Sequence, residues 1–215
     1  MGLSALLTAY FLYKAAHQSK KTFIVITGWL AFQVIMGLSG FYQVNTIPPR
    51  FLLMVLPPVL FVVYLFLSPK GREYIDSLDI RMLTLLHVVR IPVEIVLFWL
   101  FINKSVPELM TFEGRNFDIL SGVTAIIVYY FGFIKKQINK NVLLAWNFVC
   151  LGLLINIVVN AALSVPSPIQ QFAFDQPNIG ILYFPFNWLP SFIVPVVLLA
   201  HLGAIRHLMT YGRFG

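Results

Sequence analysis

Seven stretches of the chain are apolar on every side, with no alternation of polar and apolar positions: roughly 2–16, 22–43, 51–68, 80–103, 117–134, 141–165 and 188–207. Strands of a membrane barrel would alternate in segments of about ten residues. These runs are longer and lack a polar face, so the pattern predicts helices in lipid rather than strands. The expected fold is an all-α polytopic transmembrane bundle of seven helices, forming a single domain over 1–215. The segment from Pro69 to Ile80 (PKGREYIDSLDI) breaks the pattern and reads as a short amphipathic stretch at the membrane surface.

The basic residues between these stretches give a direction. Lys14, Lys20 and Lys21, then Lys70, Arg72 and Arg81, then Lys135, Lys136 and Lys140, and finally Arg206 and Arg213 all fall on one side of a seven-span path. The other side holds only Arg50, Lys104 and Arg115, and Arg90 lies inside a span. Basic loops stay in the cytoplasm. The N-terminus is therefore expected outside and the C-terminus inside, in a cell membrane crossed many times. Loops this short suggest a bacterial inner membrane.

Composition agrees: 59% of the 215 residues are hydrophobic and 11% charged. Soluble domains average about 25% charged residues. A net charge of +7 raises the question of nucleic acid, but these charges sit in short loops and form no basic patch on a soluble face. The expected partner is the lipid bilayer, with a membrane-protein partner or a second copy as further possibilities. The single cysteine, Cys150, lies in an apolar run and provides no disulfide.

Ionisable groups within a span are costly and point to a site by default. The fourth segment carries His87, Arg90 and Glu94, spaced three and four apart and therefore on one helical face, with Pro92 among them. The spacing allows Arg90 and Glu94 to pair. At a rise of 1.5 Å per residue, His87 and His201 each lie about 9 Å from the basic end, and Glu94 matches Asn156 and Gln33 near mid-membrane. The sixth segment adds a stripe of Gly152, Asn156, Asn160 and Ser164 at steps of four. The expected pocket is thus His87, Arg90, Glu94, Asn156, Asn160, His201 and Gln33. Polar contacts from the outer loops would come from Glu113, Arg115, Asn116, Asp118 and Asp175, with Asn116 or Asp118 also placed to cap the fifth helix.

Several chemistries are excluded. The last segment has no lysine for a retinal Schiff base, unlike microbial rhodopsins. His201 and His207 are six apart, where the zinc site of alkaline ceramidases needs histidines four apart. No P-loop, GxGxxG, HExxH or GxSxG occurs. Three functional readings remain. The first is a polar pocket that binds or transports a small molecule or protons, with no cofactor. The second is a membrane enzyme or redox protein with a b-type haem on His87 and His201, two histidines at equal depth as axial ligation requires. The third is an accessory subunit of a membrane complex.

Overall fold

The computed structural model describes residues 1–211; Arg213, counted above for topology, lies outside them. Among the described residues there are eight helices and no strand. They are α1 (Gly2–Ala15), α2 (Lys20–Leu38), α3 (Leu52–Leu67), α4 (Pro69–Asp76), α5 (Ile80–Ile102), α6 (Ile119–Ile134), α7 (Lys140–Ala162) and α8 (Leu189–Tyr211). Each of the seven apolar stretches contains one helix, and the amphipathic segment forms α4.

Four helices, α2, α5, α7 and α8, are long and apolar enough to cross a membrane. A fifth crossing arises if α3 and α4, bent by 93° at Ser68, count as one broken span. The 14 residues of α1 rise only about 21 Å, against a hydrocarbon core of about 30 Å. The second apolar stretch is shorter than expected: α2 stops at Leu38, and Gly40 follows at φ +71°, a left-handed turn open to glycine without steric cost.

Large apolar side chains cover the surface, while several polar and charged ones are buried. Leu3, Leu6, Ile24, Ile35, Leu38, Leu67, Trp99 and Val149 project from the surface, whereas Gln33, His87, Arg90, Glu94, Asn147 and His201 are buried. A soluble monomer does not present an apolar surface of this extent. The chain has the outside of a lipid-facing bundle and an apolar core that encloses a buried polar network.

Helix starts explain the ends of the bundle. Ser19, Ser68, Asp79 and Asn139 accept the free backbone N–H groups that open α2, α4, α5 and α7. All four caps gather at one end. There the Asp79 N–H donates to Ala15 O at 2.9 Å, His17 meets Ser77 O, and Arg206 pairs with Asp76 at 2.7 Å. A small core of Ile80, Phe133, Leu143 and Leu208 draws the α6–α7 turn to the same end. The loops at the opposite end are joined by Gly180 N–H to Ser105 O, Gln176 to Phe101 O and Val106 O, and Asn187 to Gln33 O.

The central helix is α8: 67% of its apolar window is buried, against 28% for α2 and α7. Next most buried is α5, which is not a uniform α-helix. Pro92 has no N–H for the carbonyl of Val88, and the turn His87–Val89 tightens to 3-10 geometry beside it. Gly122 of α6 faces this turn. A Cβ there would sit 2.9 Å from Ile91 Cγ1 and 3.3 Å from Arg90 Cβ, so glycine lets α6 approach α5 next to the arginine.

Candidate functional site

Arg90 organises the interior. It is 3% exposed, and its Nη1 donates to Asp118 Oδ1 at 2.5 Å and, at 3.5 Å, to the carbonyl of Cys150. Its Nη2 lies 2.9 Å from His201 Nε2. A guanidinium has only donors, so His201 Nε2 accepts. The proton of the ring therefore sits on Nδ1 and donates to Asn147 Oδ1 at 3.0 Å. Asn147 Nδ2 in turn donates to Leu143 O. One chain of bonds thus runs Asp118, Arg90, His201, Asn147, joining α5, α7, α8 and the start of α6.

One turn further along α5, both carboxylate oxygens of Glu94 lie 2.7 Å from Asn116 Nδ2. That same amide reaches Met110 O, while Asn116 Oδ1 accepts from the Asp118 N–H. The loop before α6 is therefore folded down onto α5 by two buried side chains. No ion pair joins Arg90 to Glu94, contrary to the pairing that their spacing allowed: the guanidinium is directed at Asp118, a better-placed carboxylate from another element. Beside Glu94 is a cavity of ≈90 Å³, lined by Glu94, Asn116 and Asp118 on one wall and by apolar side chains such as Val93, Leu97 and Ile157 elsewhere.

His87 and His201, matched by depth in the sequence, do meet. Their rings stack at 3.9 Å and 17°, and Trp146 packs edge-on against His87 at 5.5 Å. Neither nitrogen of His87 has a hydrogen-bond partner among the described residues, and the ring is fully buried. This geometry does not fit haem. Axial imidazoles point a ring nitrogen at the iron from opposite faces of a porphyrin. Here the rings lie face to face in van der Waals contact, and both nitrogens of His201 are engaged by Arg90 and Asn147. The haem reading is therefore set aside. Among the described residues no three of His, Cys, Asp and Glu gather as a metal site would require.

Other expected pocket residues lie elsewhere. Gln33 is buried between Tyr42, whose hydroxyl donates to Oε1 at 2.8 Å, and Asn187, which bonds its carbonyl. It ties α2 to the start of α8 and does not reach Glu94. Asn156 is exposed and donates to Arg115 O. Asn160 is buried but bonds back to Asn156 on its own helix. The two asparagines do not line the cluster. Of the outer-loop contacts, Asn116 and Asp118 belong to the interior cluster; Asp118 starts α6 without a side-chain cap bond. Glu113, Arg115 and Asp175 stay exposed, with Arg115 over the Phe172 ring. Sequence reasoning missed Asn147 and Trp146. The signal was present: Leu143, Asn147, Cys150, Leu154 and Ile157 recur at three and four and form the buried face of α7.

An all-helical bundle with a lipid-type surface and an interior network of charged residues defines the class. The chain belongs to the family described as "Domain of unknown function (DUF8737)", which matches residues 47–209. That range holds every residue of the Arg90 cluster and leaves out α1 and α2. No curated protein and no solved structure matches the chain.

Proposed function

We propose that this is a seven-span membrane protein, N-terminus outside and C-terminus in the cytoplasm, whose buried cluster takes up and releases protons within a cell membrane of the bacterial inner type. The observation that carries the reading is Glu94: a buried carboxyl group with an amide rather than a cation as its partner, on the wall of a small cavity. Such a group in hydrocarbon marks a relay or a binding site by default. Cavity size narrows the choice. Sites for organic ligands run from about 300 to 1,000 Å³. A space of ≈90 Å³ suits a few waters, each with a share of about 30 Å³, better than a metabolite. Protons and water are thus the cargo this site favours over the small molecule that the sequence left open. Asp118 is neutralised by Arg90 and keeps that guanidinium away from Glu94. Glu94 is the group free to exchange a proton through the cavity.

The gathering of the basic segments at one end supports the orientation, because it gives them one membrane face. Maleimide labelling of intact cells on a Cys150→Ala background tests it. Asn103→Cys should label from outside, and Lys136→Cys only after lysis; the reverse pattern would overturn the topology. For the site, proteoliposomes with a trapped pH dye should show proton flux under an imposed potential. Glu94→Gln should reduce it to the rate of empty liposomes, and Glu113→Gln should leave it unchanged. A wild-type rate equal to that of empty liposomes, or a Glu94→Gln rate equal to wild type, would sink the proposal.

A further inference from the structure

A larger cavity than the one beside Glu94 shares no lining residue with the Arg90 cluster. It measures ≈440 Å³ and lies where α2 and α3 stand apart, without extended contact, over a floor formed by α8. Its walls are apolar, with Ile26 and Trp29 on α2, Pro57 and Phe61 on α3, and Pro195 on α8. Pro195 has no N–H for the carbonyl four residues back, Ser191, and the Trp29 indole donates to that carbonyl at 2.8 Å. At one end Lys21, Thr22 and Tyr74 form a polar rim, with Thr22 Oγ1 3.2 Å from Tyr74 Oη.

That rim lies at the basic end. Lys21 lines it, and the elements that supply the rim carry further basic residues: Lys14 and Lys20 beside the α1–α2 turn, and Lys70 and Arg72 on α4, the helix of Tyr74. Of the carboxylates on α4 and in the turn after it, Asp76 and Asp79 are taken up by Arg206 and Arg81, which leaves Glu73. The depth of the groove is also informative. From Lys21 to Trp29 on α2, and from Leu65 to Pro57 on α3, the rails run eight residues, about 12 Å. Half the hydrocarbon core is about 15 Å.

We propose that this groove binds one anionic phospholipid of the basic-side leaflet, with an acyl chain between α2 and α3 and the phosphate at Lys21. An apolar slot one leaflet deep accepts a single chain. A cationic rim at interface depth selects a negative headgroup over a zwitterionic one. The inference does not depend on proton handling; it needs only that the basic end lies at a membrane surface. Because Lys21 and Val25 are exposed groove residues, both can be changed without disturbing the core.

Native mass spectrometry of the detergent-solubilised full chain, with dioleoyl phosphatidylglycerol or dioleoyl phosphatidylcholine added, tests it. Wild type should retain one phosphatidylglycerol per chain at a detergent level that strips phosphatidylcholine. Lys21→Gln should cut that preference about five-fold, as expected for one lysine near an anionic surface. Val25→Trp, which fills the slot, should abolish retention with an unchanged melting temperature. Equal retention of both lipids, retention indifferent to both variants, or a lipid-free dimer buried through this face would each overturn it.

Discussion

The two sides of this bundle solve opposite problems. Between α5, α6, α7 and α8 the chain buries an arginine, two carboxyl groups and two histidines; Arg90, Glu94, Asp118 and His201 are bonded to partners from other elements, while both nitrogens of His87 are left without one. Between α2, α3 and α8 it leaves a gap lined mostly by apolar side chains, with Lys21, Thr22 and Tyr74 at one rim. The comparison shows that in lipid it is the polar interior that must be closed and specified. An apolar surface can stay open, because acyl chains will fill it without a loss of solvation.

Breaking the closed side should have the largest effect. Arg90→Ala leaves Asp118 buried with no cation and removes the donor to His201; loss of one member of a buried pair costs about 3–5 kcal/mol. Thermal unfolding in detergent should show this as a large fall in Tm. The double substitution Arg90→Met with Asp118→Leu removes both charges and should recover most of the loss. If the single variant melts like wild type, the network is not what holds these four helices. If the double variant is no better than the single, the shape of the guanidinium matters more than its charge.

The smallest effect should come from the ion pair at the basic end. The side-chain hydrogen bonds from Arg206 hold the Asp76 carboxyl below its ordinary value, outweighing the burial that would raise it. A depressed carboxyl pKa stabilises the fold above the ordinary aspartate value, and that contribution is lost as pH falls through the folded value. The window is therefore below about pH 4. Partly exposed pairs contribute little. Arg206→Ala should lower Tm slightly at pH 7 and by less at pH 3, and an equal loss at both would assign the effect to packing of the side-chain stem.

How much of this was legible in the sequence follows from what each signal encodes. Steps of three and four put His87, Arg90 and Glu94 on one face of α5, and a shared depth brought His87 to His201, because helical rise and turn are local properties. The partners of Arg90 and Glu94 were hidden: Asn116 and Asp118 sit in a polar loop that looked exposed, and only tertiary folding brings it down beside α5. On α7 the wrong stripe stood out. A step of four overshoots a full turn by about 40°, so Gly152, Asn156, Asn160 and Ser164 spiral from the surface inward. Asn156 is accordingly exposed and Asn160 buried. The alternating three-four series through Asn147 and Cys150 stays on the core face. Seven apolar stretches were read as seven spans; four of their helices are by themselves long enough to cross, and the short α1, α3 and α6 fall below the length that composition alone suggested.

Helix α4 is eight residues long, yet three other helices are fastened at or beside it: Asp76 holds Arg206 of α8, Ser77 O meets His17 at the foot of α1, and Asp79 both opens α5 and bonds Ala15. It acts as a yoke across the feet of the bundle. Through these bonds α4 is joined directly to α5 and α8, the two helices that carry Arg90 and His201.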